Sequence, residues 1–126
     1  MPDDDAPAPP GHVTGIGGVF FRARDREQLA AWYHDVLGLP VTDSASAKMG
    51  TTVWAAFSLD TEYFGPTRQP YMVNYRVDDL EAALRRLQSA GATVAAAIDE
   101  DDYGRFAWAV DPEGNRFELW QPAPGR

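Results

Sequence analysis

The sequence predicts an α+β fold in which one strand-helix-strand unit is written twice. Two observations carry this. A strand, an Asp-started helix and a longer β-branched and aromatic strand run from Val19 to Leu59, and the same order returns from Tyr71 onward. The two helical stretches, Asp25 to Gly38 and Asp78 to Gly91, also have equal length and both end at glycine. Matching element order with weak residue identity marks an internal repeat.

The elements follow in order. Val19 to Ala23 reads as a strand, entered through a flexible Gly15-Ile16-Gly17-Gly18 stretch. Asp25 with Gln28 three residues on has the form of a capping box, and Leu29, Trp32, Tyr33, Val36 and Leu37 form one apolar stripe at helical spacing. Gly38 suits a left-handed C-cap, and Pro40 blocks continuation. Val41 to Met49 leaves room for little before the strand Thr51 to Leu59, so the first unit is shortened. Gly65, Pro66 and Pro70 punctuate a linker over residues 60–70.

Tyr71 to Val77 is the next strand. Asp78, with Glu81 three residues on, caps a helix whose stripe is Leu80, Leu84 and Leu87. Thr93 to Ile98, Arg105 to Val110 and Arg116 to Trp120 read as strands, the last two joined by a type I turn over Asp111-Pro112-Glu113-Gly114-Asn115. Residues 1–11, rich in Pro and Asp, read as a disordered tail. Residues 12–122 are expected to form one domain, with a first module over 16–60 and a second over 71–122.

Composition narrows the function. The chain has 126 residues, 44% of them hydrophobic, which is enough for one real core. No apolar run approaches the roughly 18 residues of a membrane span. The net charge of −8 disfavours nucleic acid and anionic membrane as partners. There is no cysteine, so disulfides, thiolate nucleophiles and Cys-based zinc sites are excluded, and a cytoplasmic location is expected. There are two histidines. His12 borders the tail, and His34 lies off the helical stripe beside Asp35 and reads as solvated. Asp99, Glu100, Asp101 and Asp102 are consecutive, without the spacing of a calcium loop, and read as a solvated turn.

The closing stretch Asp111-Pro112-Glu113-Gly114-Asn115-Arg116-Phe117-Glu118-Leu119-Trp120, with Val73-Asn74-Tyr75-Arg76-Val77-Asp78-Asp79-Leu80, resembles the vicinal oxygen chelate superfamily. That superfamily includes glyoxalase I, bleomycin-resistance proteins, extradiol dioxygenases and fosfomycin-resistance enzymes. The resemblance covers about Ile16 to Pro122 and extends to short glyoxalase-like members that carry a Tyr-Phe-Gly, here Tyr63 to Gly65, before the second module. It implies two tandem βαβββ modules forming a U-shaped, partly closed mixed sheet, with a ligand inside the U. It also implies a homodimer.

In metal-binding members the ligands come from both modules. Carried over position by position, they fall on Gly18, Met72 and Glu118, and the long strand Thr51 to Asp60 has no His or Glu. One expected ligand remains, so no metal and no cofactor are expected.

Strand alternation then proposes a cavity. Glu118 brings Arg116 and Trp120 to its face, Met72 brings Asn74 and Arg76, and Gly18 brings Phe20 and Arg22. On the long strand either Trp54 and Ala56, or Val53, Ala55 and Phe57, face inward, and Phe106 and Trp108 share a face. The candidate ligand-binding residues are Phe20, Arg22, Trp54, Met72, Asn74, Arg76, Trp108, Trp120 and, from the linker, Tyr63. Glu118 is the candidate catalytic residue. Each Trp also fits a core or an interface, and each Arg a surface ion pair.

Three functions fit. The first is a binding module that grips a hydrophobic or aromatic small molecule without metal. The second is a metal-free lyase or isomerase with Glu118 as general base and Arg22 or Arg76 at the oxyanion. The third is a metal isomerase like glyoxalase I.

Overall fold

A computed structural model describes residues 10–41, 46–49 and 52–124. Most of the proposed tail, residues 1–9, lies outside the described residues. Its last two residues do not behave as a tail. The Pro10 carbonyl accepts a bond from Arg86, and the Gly11 N–H donates to Asp78. Gly11 has φ 84° and packs so closely that a Cβ would meet Ala82 and Ala83.

Two aspartates start the helices. Asp25 accepts from the Gln28 N–H and opens α1, Arg26–Leu37. Asp79, not Asp78, accepts from the Ala82 N–H and opens α2, Leu80–Ser89. Asp78 is occupied with Gly11 instead, so the second helix starts one residue later than its sequence pattern suggests. Gly38, at φ 75°, closes α1 in the left-handed region.

Among the described residues, eight strands form one mixed sheet: β1 Val13–Ala23, β2 Ser46–Met49, β3 Thr52–Ser58, β4 Tyr71–Val77, β5 Thr93–Val94, β6 Asp99–Asp101, β7 Gly104–Val110 and β8 Arg116–Pro122. The order is β2-β3-β1-β4-β8-β7-β5, with β6 also on β7. Within each half a parallel pair, β1 with β3 and β4 with β8, brackets a helix. The halves meet where β1 runs antiparallel to β4. Among the described residues, one strand (β2) lies between helix and long strand in the first half and three (β5, β6 and β7) in the second, in line with the shorter spacing of the first.

Three strand expectations need correction. The glycine-rich lead-in is part of β1, and bulges beside Gly15 and Gly18 absorb the irregularity. The segment Thr93 to Ile98 pairs only at Thr93 and Val94. Asp99–Asp101 of the acidic run form a strand, with Asp99 opposite Phe106 and Asp101 opposite Gly104, and Asp102 lies in the turn that follows. The side chains of β6 are solvated because it lies at a sheet edge.

Both helices pack on the same face of the sheet. Ala30 of α1 clusters with Trp54 and Ala56 of β3, flanked by Phe21, Leu29 and Tyr33. Leu80 and Ala83 of α2 cluster with Val77, Ala107 and Leu119. The α1 stripe is only half buried as expected. Leu29 and Tyr33 turn inward, whereas Trp32 is 52% and Leu37 67% exposed. The opposite face carries Phe20, Met72, Trp108 and, from the linker, Phe64. There the Tyr63 ring lies 5.1 Å from Phe57 of β3 and 6.0 Å from Trp108 of β7. A flat sheet would hold those two strands about 19 Å apart at the usual spacing. The sheet therefore curves around this face without closing on itself.

Candidate functional site

Strand alternation places the site on the concave face. On β8, Phe117 and Leu119 turn toward α2, so Glu118 and Trp120 turn inward. On β4, Tyr75 and Val77 pack outward and Asn74 inward. A cavity of about 360 Å³ results. Its walls are Phe20, Val53, Tyr63, Tyr103, Phe106 and Trp120, with Gly17, Ser46, Asn74 and Glu118 completing the lining.

Glu118 is fully buried, and both of its oxygens are held. Oε1 accepts from the Asn74 side-chain amide at 2.5 Å, and Oε2 accepts from the Tyr63 hydroxyl at 2.5 Å. Asn74 reaches it because β4 and β8 run parallel with Asn74 opposite Glu118. Burial raises the Glu118 carboxyl to about 7. The bonds from Tyr63 and Asn74, the nearby Trp108 indole and the Arg116 charge all oppose that rise. Desolvation wins because a carboxylate loses most of its hydration here and regains only part of it. Tyr63 is 38% exposed as a residue, but its hydroxyl points inward. Burial and the adjacent Glu118 charge raise its pKa well above the ordinary phenol value.

Asn74 is 2% exposed, and its Oδ1 has no hydrogen-bond partner among the described residues. That oxygen occupies the space in front of Gly17, where a Cβ would lie 2.1 Å from it. Gly17 is thus required by close approach. Gly17 rather than Gly18 lines the cavity, because the bulge beside Gly18 breaks the alternation.

Several proposed ligand residues lie elsewhere. Trp54 packs against α1, so the other face of β3 (Val53, Ala55 and Phe57) turns to the concave side. Arg22 donates to the carbonyls of Leu59 and Thr67 and stacks over Phe64, tying the linker down. Arg76 donates to the Ile16 carbonyl and stacks over Trp120, and it does not line the cavity. Met72 and Trp108 are packed behind the lining with Phe20 and Phe64. Phe20, Asn74, Tyr63, Trp120 and Glu118 do come together. The sequence reading does not include Gly17, Ser46 or Tyr103; it has Val53 on the alternative inward face of the long strand and Phe106 on a face with Trp108, without naming either as a ligand residue. Phe106 was detectable, since it shares a strand face with Trp108 and stacks 6.0 Å from Trp120. Tyr103 arrives from a turn, where its carbonyl accepts from the Trp120 indole, and no periodicity marks it.

The positions that the resemblance assigns to metal ligands hold Gly18, Met72 and Glu118. Gly18 has no donor, the Met72 thioether is sealed in an apolar cluster, and both Glu118 oxygens already accept from neutral donors. Among the described residues no group of three or more His, Cys, Asp or Glu could hold an ion. This donor set does not fit a divalent metal, which needs about three protein ligands and usually imidazole.

A curved, open mixed sheet with both helices on its outer face matches solved structures of the vicinal oxygen chelate superfamily. The methylmalonyl-CoA epimerase of Mycobacterium tuberculosis superposes with a TM-score of 0.68 at 24% identity, covering 95% of each chain. The Streptomyces coelicolor methylmalonyl-CoA epimerase with 2-nitronate-propionyl-CoA gives 0.70 at 16% identity, over 89% of this chain and 99% of that one. A glyoxalase/bleomycin resistance protein/dioxygenase superfamily member from Vibrio splendidus gives 0.63 at 18%, over 83% and 96%. Within the superfamily, the chain belongs to the glyoxalase-like domain family, whose model matches residues 18–120. Uncharacterized proteins of Mycobacterium bovis and Mycobacterium tuberculosis share 35% identity over 54 residues, 42% of this chain. The matched stretch spans only 36% and 32% of those two proteins.

Proposed function

We propose that the protein binds a hydrophobic, partly aromatic small molecule in the concave cavity without a metal. The observation that carries this is the cavity itself: aromatic walls around a floor whose carboxylate already has its hydrogen bonds. That is the makeup of a small-molecule site, with apolar contact for affinity and a few polar groups for orientation. The epimerases share the fold at an identity that carries no activity over to this chain. Two measurements test the reading. Titration with zinc, nickel, iron and manganese should give no stoichiometric binding. A panel of aromatic compounds should quench tryptophan fluorescence in the wild type and not in Trp120→Ala. Tight binding of one metal per chain, or quenching that survives the substitution, overturns it.

A second reading, a metal-free lyase or isomerase with Glu118 as base, is favoured by one observation. A carboxyl near 7 is poised to take a proton at neutral pH. Neither Arg22 nor Arg76 lines the cavity, however, and the Tyr63 hydroxyl already donates to Glu118, so this reading has no donor assigned to the oxyanion. In this reading Glu118→Gln abolishes turnover and keeps ligand affinity. Equal loss of both removes it.

A further inference from the structure

We propose a second binding site, a pocket beside the linker in which Arg116 holds the carboxylate of a small organic acid with an apolar body. Among the described residues its lining shares none with the concave cavity, so the site does not depend on what that cavity holds. The pocket has a volume of about 320 Å³. Pairing across three strands builds its floor. Thr93 of β5 lies opposite Val110 of β7, and Val110 lies opposite Arg116 of β8, so the three share one face of the sheet. Trp108 and Ala95 extend that floor, and Pro66 and Thr67 of the linker also line it.

The arginine is held in place and left without an acceptor. Its guanidinium carbon lies 5.4 Å from the Trp108 ring centroid. It also packs against Gly65, at φ 75°, where a Cβ would fall 2.3 Å from Nη1, so only glycine leaves room for it. Arg22 and Arg76 stack on rings too, but both donate to backbone carbonyls. Among the described residues Arg116 bonds only through its backbone, to Gln69. It joins neither His34–Asp35 nor Arg105–Glu81, the ion pairs that form there. Its Nε is sealed without a partner, which leaves the terminal nitrogens as the donors a ligand can reach. Carboxylates on the flanking segments are engaged elsewhere, Glu118 with Tyr63 and Asn74, and Asp111 with Glu113 and Asn115. A planar guanidinium matches a carboxylate through two parallel bonds, and a lone cation suits one negative charge better than the two of a phosphate. Val110, Ala95 and Pro66 supply contact for the apolar body.

The test compares three probes by calorimetry: benzoate, its uncharged isostere benzamide, and inorganic phosphate. Salt at about 0.15 M screens the rest of the chain's −8 charge within about 8 Å. Benzoate should bind with a Kd of about 1 mM or tighter, and benzamide and phosphate at least about tenfold more weakly. Arg116→Gln, checked for folding by circular dichroism, should abolish benzoate binding. Labelling of the wild-type protein with 2,3-butanedione, read at each arginine by mass spectrometry, locates the site without a substitution. Benzoate at about ten times its Kd should slow the labelling of Arg116 about tenfold and leave the exposed Arg24 unchanged. Equal affinity for benzoate and benzamide, or tighter binding of phosphate, overturns the proposal. So does the absence of benzoate binding at about 10 mM, or benzoate binding that leaves Arg116 labelling unchanged. These outcomes are separate from the concave cavity, which the Trp120→Ala measurement tests.

Discussion

In the second half of the sheet, Asn74 of β4 lies beside Glu118 of β8. In the first half, the matching parallel pair sets Phe20 of β1 beside Ala55 of β3. The match is positional, since Asn74 and Phe20 each stand five residues before their helix caps, Asp79 and Asp25. Two residues further on, Arg76 pairs with Trp120 and Arg22 with Phe57. The backbone plan and the Arg-aromatic pair are therefore repeated, while the buried polar pair is not. One half supplies hydrogen-bonding chemistry, and the other supplies apolar wall and, at Gly17, room. A repeat needs only one polar floor, because each buried carboxylate costs desolvation energy that a second copy would double.

If the first half is scaffold, its core should matter most to stability. Trp54→Ala removes a buried ring wedged against Ala30 and Tyr33. It should cost about 3–5 kcal/mol in urea unfolding while leaving probe selectivity of the folded protein intact. A loss below about 1 kcal/mol would show that this half does not carry the packing.

The polar pair predicts a pH-dependent effect of opposite sign. The folded Glu118 titrates at about 7, above its ordinary 4.5. A group raised in this way favours folding while protonated, and that contribution is lost as pH rises through the folded value. Glu118→Gln cannot ionise. It should unfold later than wild type at about pH 8, by up to about 3 kcal/mol, and lose that advantage below pH 4.5. A constant difference across pH would mean that Glu118 is not the strained group.

Room for Asn74 is the next test. Gly17→Ala drives a methyl into Asn74 Oδ1 and the Trp120 ring. It should cost about 1–3 kcal/mol and reduce the affinity of the concave cavity for aromatic compounds. A neutral result would show that the amide moves freely. The smallest effect is expected on the outer face of α1. Trp32→Ser, at a 52% exposed position, should shift stability by no more than about 0.5 kcal/mol and leave probe binding unchanged.

Much of this was readable in the residues. The caps at Asp25 and Gly38, the strand Tyr71–Val77 and the turn at Asp111 follow from local chemistry, because each depends on neighbours within a few positions. Alternation along β8 put Glu118 and Trp120 on one face for the same reason. Local pattern ended where two distant segments had to agree. The inward face of β3 depended on which residue α1 covered, and α1 covered Trp54. Asp78 lost the helix cap to Asp79 because Gly11 claimed it from 67 residues away.

The site divides in the same way. The sequence alone established the repeated α+β plan, the lone carboxylate on the closing strand and the shortage of metal ligands, all properties of residue type and order. Folding supplied the rest, by bringing Tyr63 across 55 residues and Asn74 across 44 onto one carboxylate. It also drew three arginines away from the cavity onto aromatic rings. Those outcomes depend on desolvation and close approach, which arise only when segments remote in the chain share one low-dielectric space.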